Sequence, residues 1–81
     1  MKNRIEQQLK ANLSLDYIEV IDESHLHGGH NHFDGSPGSH FRIIIKAQSL
    51  TDLSKVKAHK TIYQILKEEM DIIHALAIEL K

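Results

Sequence analysis

The sequence predicts an α+β fold with the element order α-β-β-α-β, in which a three-stranded mixed sheet carries both helices on one face. Apolar residues recur with helical spacing in two segments, and three short segments are rich in β-branched residues. The segment between the last two strands is long enough to form a crossover helix. Strands joined in this way run parallel with a right-handed connection, so the third strand should lie parallel to the second.

The chain begins with a predicted helix over residues 2–13, followed by a first strand over residues 16–23. The helix prediction depends on apolar residues that recur every four positions among charged and amide side chains: Ile5, Leu9 and Leu13. The strand prediction depends on the β-branched and aromatic residues of DYIEVIDE.

The second strand is predicted over residues 40–47, and no helical segment separates it from the first. The two strands should therefore pair antiparallel. A long His/Gly-rich loop, at about 24–39, joins them, and loops of this length are typically functional or disordered. Alternation places one set of side chains on the core face and another on the opposite face: Phe41, Ile43, Ile45 and Ala47 against His40, Arg42 and Lys46.

The second helix is predicted over residues 55–70, with Ser54 as a candidate N-cap. Its apolar face should contain seven residues within one half of the helical wheel: Val56, His59, Ile62, Tyr63, Ile65, Leu66 and Met70. Residues 72–80 then have the length and composition of the third strand. One domain is expected, since neither a linker nor an internal repeat is present.

Five of the seven histidines fall between residues 25 and 40. Three explanations stay open: a metal or cluster ligand, a pH-sensitive surface, or a polar loop that is rich in histidine. Neutral imidazole is the commonest metal ligand in proteins, whereas a structural zinc site needs ligands that the fold holds rigid. A dedicated all-histidine zinc site is therefore disfavoured in the H-x-H-x-x-H-x-H segment formed by His25, His27, His30 and His32.

The other histidines lie in predicted elements. His59 is expected to be buried or half-buried on its helix, and His40 to be exposed. In an alternating strand, His74 would lie on the same face as Leu76, Ile78 and Leu80, which favours a core position. Parallel pairing nevertheless brings the start of the third strand near the start of the second. His74 and the loop histidines should then flank one corner of the sheet.

Composition excludes several functions. A chain without cysteine has no disulfide, no zinc finger, no catalytic thiol and no iron–sulfur site made of its own thiolates. The formal net charge of −1 argues against a general affinity for phosphate backbones. No catalytic constellation or phosphate-binding glycine loop is present, so an enzyme is not expected. The charged N-terminal segment lacks the pattern of a signal peptide, which favours a cytoplasmic location.

Four segments, taken in order, resemble the BolA-like family: VIDESHLHGGH, SHFRIII, KVKAHKTIYQIL and IIHALAI. The resemblance covers essentially the whole chain, and the closing HALAI after an H-x-x-I-Y-x-x-L helix is its most specific part. It implies a fold similar to the type II KH domain, which has the same element order as the one derived from periodicity.

The resemblance also implies a partner and a cofactor. Many BolA-like proteins pair with a monothiol glutaredoxin, and a 2Fe-2S cluster bridges the two proteins with glutathione as a further thiolate donor. The family's C-terminal histidine maps onto His74, and its loop ligand maps onto His30, with His27 and His32 as alternatives. Such a protein would serve iron–sulfur cluster trafficking or iron homeostasis. The isolated chain is expected to be a cluster-free monomer, with a homodimer left open.

A second function is a nucleic-acid-binding transcriptional regulator, because KH-like folds bind nucleic acid. Its candidate residues are basic side chains of the predicted second helix: Lys55, Lys57, Lys60 and Lys67. Many family members carry arginine on both sides of the helix histidine, whereas this chain has Ala58 and Lys60. The planar guanidinium fork is therefore lost on both sides, which weakens the second function relative to the first.

Overall fold

A computed structural model describes residues 1–24 and 40–81. The elements are α1 (Lys2–Asn12), β1 (Leu15–Asp22), β2 (His40–Ala47), α2 (Gln48–Thr51), α3 (Lys55–Ile65), α4 (Lys67–Met70) and β3 (Ala75–Leu80). The predicted α+β class is confirmed. The single-turn helix α2 is an addition to the predicted order, whereas α4 lies within the predicted second helix. Nearly all of the predicted His/Gly-rich loop lies outside the described residues.

The three strands form one mixed sheet in the order β1-β2-β3. β1 pairs antiparallel with β2, and Val20 lies opposite Ile43. β2 pairs parallel with β3, and His40 lies opposite Ala75. Both orientations agree with the sequence prediction. The central position of β2 means that its two ends are fixed by hydrogen bonds on both sides.

The core lies between the helices and one face of the sheet. Alternate residues of β2 are almost completely buried, and they pack against side chains of α1 and α3 in a single cluster. Burial of each such aliphatic side chain contributes about 1.5–3 kcal/mol relative to its exposed state. Both long helices therefore cover the same face, as the amphipathic patterns predict. The members of the cluster are Ile5, Leu9, Val20, Phe41, Ile43, Ile45, Ala47, Leu50, Ala58, Ile62, Leu66 and Ile73.

The predicted helix over 55–70 is two helices. Ser54 caps the first of them, because its Oγ accepts a hydrogen bond from the Lys57 N–H at 3.2 Å, as predicted. α3 ends at Ile65 because Leu66 has φ −96° and ψ 21°, outside the helical region. Leu66 is fully buried, so the chain bends at a residue that the core holds in place.

The buried face of α3 differs from the predicted one. Ala58 and Ile62 are fully buried, whereas Val56 is 65% exposed and Tyr63 is 40% exposed. The wheel placed Val56 and Tyr63 in the core because it weighted large apolar side chains. The small Ala58 contributes to the core cluster instead. His59 is half-buried, which confirms the prediction for its exposure.

The third strand begins later than residue 72. The backbone N–H groups of Ile72 and Ile73 both donate to the Glu69 carbonyl at 3.0 Å, which continues the turn of α4. Strand pairing starts at Ala75 as a result.

Among the described residues, no helix is both long and apolar enough to cross a membrane.

Candidate functional site

Two histidines meet at one corner of the sheet. His74 lies immediately before β3, and His40 is the first residue of β2. Their ring centroids are 4.9 Å apart and the ring planes are tilted by 47°. The parallel pairing of β2 with β3 brings the starts of both strands together, and the prediction that His74 lies at this corner agrees with that geometry.

His40 is buried, and the prediction that it is exposed was wrong. Only 7% of its surface is accessible. Its backbone N–H donates to Ser24 Oγ at 3.1 Å, and its carbonyl accepts from the Glu23 N–H at 2.8 Å. These bonds hold the start of β2 against the end of β1. The His74 ring lies beside the His40 ring on the side of β3. Strand parity described the direction of the side chain correctly but not what lies beside it.

His74 is exposed, and the favoured core position was wrong. The strand begins one residue later, so His74 belongs to the turn rather than to the alternating part of β3. The residues that share its parity are half-buried and pack against the core as predicted: Leu76, Ile78 and Leu80. The corner therefore pairs an exposed imidazole with a buried one, which gives a partner access to one ring on a fixed support.

The His-rich segment leaves and re-enters the fold at this same corner. Ser24 is buried, and its backbone N–H donates to Asp22 Oδ1 at 2.9 Å. Its hydroxyl accepts from His40, which begins β2, so the two residues that flank 25–39 are joined by a hydrogen bond. The predicted loop ligand His30, with its alternatives His27 and His32, lies outside the described residues. The residues that flank the segment, Ser24 and His40, are nevertheless hydrogen-bonded to each other, and the His40 ring lies next to the His74 ring.

An arginine between two carboxylates borders the corner. Arg42 Nε donates to Glu23 Oε2 at 2.8 Å, and Arg42 Nη1 donates to Glu79 Oε1 at 2.9 Å, so the three strands are joined on the face opposite the helices. The hydrogen bond that Arg42 donates to Glu23, followed by that carboxylate's charge, raises the pKa of Arg42 further above its usual value. A cleft of about 310 Å³ lies here, lined by Glu23, His40, Phe41, Arg42, Ala75, Leu76 and Ala77.

The donors at the corner fit a metal group that accepts nitrogen ligands. His40 and His74 offer two imidazoles, and imidazole suits iron, zinc and copper alike. Within residues 1–24 and 40–81, no group of three or more His, Asp or Glu side chains is arranged to hold a metal ion. Two protein nitrogens with thiolates from elsewhere form a donor set found on iron in mixed-ligand 2Fe-2S sites.

The candidate nucleic-acid-binding lysines lie on the outer side of the second helical region. Lys55, Lys57 and Lys60 are exposed on α3, which contains no acidic residue, and Lys67 is exposed as the first residue of α4. The ion pairs of the described part involve other cations: Arg4, Lys10 and Arg42. The four lysines, which we call the basic stripe, therefore have no ion-pair partner within residues 1–24 and 40–81 and are well suited to meet an acidic surface.

Sequence reasoning missed two residues of the corner. Ser24 was not singled out, and His40 was placed on an exposed face. A parallel β2–β3 pair does bring the residue that opens β2 next to the residue that precedes β3. That relation was available from the predicted topology. The hydrogen bond from His40 to Ser24 was not available, because it joins residues 16 positions apart across the loop.

Comparisons with known proteins agree on one family. Residues 9–81 match the family model described as BolA-like protein. A Sinorhizobium protein from the cobS 5′ region is 42% identical over 77 residues, which covers 93% of this chain and 83% of that protein. The DNA-binding transcriptional regulator BolA of Haemophilus influenzae is 36% identical over 77 residues, covering 94% of this chain and 71% of the regulator. The solved BolA domain of SufE1 from Arabidopsis thaliana superposes with a TM-score of 0.86 at 33% identity, covering 99% of this chain and 88% of that domain.

Proposed function

Because the chain belongs to the BolA-like family, we propose that it is a non-enzymatic partner of a monothiol glutaredoxin and shares a bridged 2Fe-2S cluster with it. This partnership would serve iron–sulfur cluster trafficking or iron homeostasis, in the cytoplasm. The observation that carries the proposal is the corner at which exposed His74 lies 4.9 Å from His40. Ser24, which precedes the His-rich segment, is hydrogen-bonded to His40, which follows it.

The composition of the chain supports a cluster whose ligands come from both proteins and from glutathione. Without cysteine, the chain supplies imidazole nitrogens while glutaredoxin and glutathione supply the thiolates. His74 is the ligand that the partner can reach, and His30 is the second ligand, with His27, His32 and the corner residue His40 as alternatives. When bound, the cluster supplies iron and sulfide that a recipient protein can accept. Imidazole ligands must be neutral to bind metal, so protons compete with the cluster for these side chains.

The first test is an anaerobic reconstitution of the chain with a monothiol glutaredoxin, glutathione, iron and inorganic sulfide, followed by visible circular dichroism. Wild type should give a spectrum distinct from that of the glutaredoxin homodimer. His74→Ala should abolish that spectrum while the apo-protein keeps its far-UV spectrum. His30→Ala, His27→Ala, His32→Ala and His40→Ala then identify the second ligand.

His59→Ala is the matched control, because His59 is a half-buried histidine on α3 rather than at the corner. It should leave the visible spectrum unchanged. A wild-type mixture that shows only the homodimer spectrum would contradict the partnership. An unchanged spectrum in His74→Ala would contradict the ligand assignment alone.

A second function is favoured by the basic stripe on α3 and by relatives that carry the name DNA-binding transcriptional regulator. Lys55, Lys57 and Lys60 have no ion-pair partner in the described part of the chain, so they are available to phosphates. Exposed cations on one helix face that bind DNA phosphates release counterions. We keep this function second because the net charge is −1 and because the helix lacks arginine.

Fluorescence anisotropy with duplex DNA across a salt series tests the second function. Binding through the stripe should weaken with salt at a log–log slope of about −0.9 per phosphate contact. Replacing Lys55, Lys57 and Lys60 by alanine should make the slope shallower. Lys10→Ala is the control, because Lys10 lies on α1 and is already paired with Glu6 at 3.0 Å. Equal slopes in all three proteins would exclude the stripe as the binding surface.

A further inference from the structure

The short helix that precedes His74 contains a buried carboxylate. Glu69, on α4, has no exposed surface, and Arg4 of α1 donates from Nε to its Oε2 at 2.8 Å. Its second oxygen, Oε1, is buried without a hydrogen-bond partner among the described residues. A buried charge is costly unless it is paired, and an apolar residue of similar volume is often as stable at such a position. Stability alone therefore gives a weak reason for an ion pair here.

The same residue fixes the backbone that leads to His74. The Glu69 carbonyl accepts hydrogen bonds from both the Ile72 and the Ile73 N–H groups at 3.0 Å. Ile73 is 6% exposed and belongs to the core, whereas Ile72 is 59% exposed. His74 follows directly and is held on its other side by the pairing of Ala75 with His40. The position of the His74 ring thus depends on where α4 places Glu69.

We propose that Glu69 and Arg4 are positioning residues for His74. Arg4 ties α4 to α1 through the Glu69 side chain, and Glu69 ties the turn to α4 through its carbonyl. The turn then presents the exposed His74 ring against the His40 ring at 4.9 Å. This inference rests on the proposed function, because it gives His74 the role of the ligand that a partner protein meets. Groups that orient a ligand from outside the coordination sphere commonly change metal affinity by about 10–100-fold.

Glu69→Gln is the main variant, and Glu68→Gln is its matched control. Both remove one negative charge from adjacent residues of α4, and both carboxylates lie near Arg4. The Glu68 side chain is 79% exposed and its oxygen is 3.8 Å from Arg4 Nη2, whereas Glu69 is fully buried at 2.8 Å. A general effect of charge should appear in both variants. An effect of the buried pair should appear only in Glu69→Gln.

The first measurement uses the apo-protein and needs no glutaredoxin. NMR should show that Glu69→Gln shifts the amide resonances of residues 71–75 and weakens the proton contacts between the His40 and His74 rings. Glu68→Gln should leave both unchanged. The double variant Arg4→Met with Glu69→Met replaces the pair by apolar side chains and is expected to stay folded. It should lose the ring contact as well, because packing without the ion pair does not fix α4.

The second measurement follows loss of the shared cluster to a chelator, at a temperature where every variant is fully folded. Loss should be about 10-fold faster for Glu69→Gln than for wild type, and unchanged for Glu68→Gln. A purely structural role would lower the thermal midpoint but leave the ring contacts and the rate of loss unaltered, and that result would overturn the proposal. Preserved ring contacts in the double variant would overturn it too. Should wild type form no shared cluster, the proposed function fails, and the apo-protein measurement decides the positioning role by itself.

Discussion

His40 and His74 have adjacent rings but opposite exposure, and the difference depends on single positions in the chain. His40 is the first paired residue of β2, and its backbone is bonded to Ser24 and Glu23. His74 stands one residue before the first paired residue of β3 and is therefore free of the alternation that governs Leu76. A periodic pattern assigns faces within a strand, but the end of the strand is set by hydrogen bonds to other elements.

A tyrosine on the uncovered face of the sheet gives a prediction at the residue scale. Tyr17 Oη donates to Glu19 Oε1 at 3.0 Å. This hydrogen bond, followed by the carboxylate's charge, raises the pKa of the phenol above its usual value of 10.0. The neutral phenol is the favoured form, so the stabilising contribution of the contact is present at neutral pH and is lost as the pH rises through the raised pKa.

Alkaline titration by ultraviolet absorbance measures this shift. Tyr63→Phe removes the other tyrosine and leaves one phenol to follow. In that background Tyr17 should ionise above pH 10, and Glu19→Gln should move its midpoint back toward the value of about 10 that is usual for tyrosine. An unchanged midpoint after Glu19→Gln would show that Glu19 is not the cause.

Among the secondary-structure elements, α3 buries a face that leaves out some of its large apolar side chains. Ala58 and Ile62, one turn apart, have no exposed surface, while Val56 and Tyr63 face outward. A wheel that weights side chains by hydrophobicity gives little weight to alanine. A small side chain fits at a closely packed, buried position, because a larger side chain there would push the packed elements apart.

Substitutions on the two sides of α3 should therefore differ sharply. Ile62→Ala removes a fully buried side chain and should lower the free energy of unfolding by about 2–5 kcal/mol. Val56→Ala, at a residue 65% exposed, should change it by less than about 0.5 kcal/mol. Urea denaturation followed by far-UV circular dichroism measures both. Similar losses in the two variants would contradict the observed face.

At the scale of the whole molecule, a packed scaffold carries a long connection at one corner. The described core side chains already form one continuous cluster between the helices and the sheet. Ser24 and His40, the residues that flank 25–39, are hydrogen-bonded to each other within the scaffold itself. Stability and partner binding are therefore expected to reside in different parts of the chain.

Replacement of residues 25–39 by a Gly/Ser segment of the same length tests this separation. The entropy of closing the connection depends mainly on its length, so the free energy of unfolding should change by no more than about 1 kcal/mol. The shared-cluster spectrum with glutaredoxin should be lost, because the candidate loop ligands are gone. A variant that fails to fold would show that residues 25–39 contribute to the core. A variant that keeps the cluster would place the second ligand at His40.

Local patterns in the chain were enough to predict the α+β class, the antiparallel and parallel pairings, the core face of β2 and the Ser54 cap. Each follows from local periodicity, from a short-range hydrogen bond or from the handedness of a crossover. Four features follow from the packing of the folded chain: His40 is buried, His74 is exposed, α3 buries Ala58, and Glu69 pairs with Arg4. These features depend on contacts between residues far apart in sequence, such as the 65 positions between Arg4 and Glu69. No local pattern encodes such a contact, because it exists only once the helices have packed on the sheet.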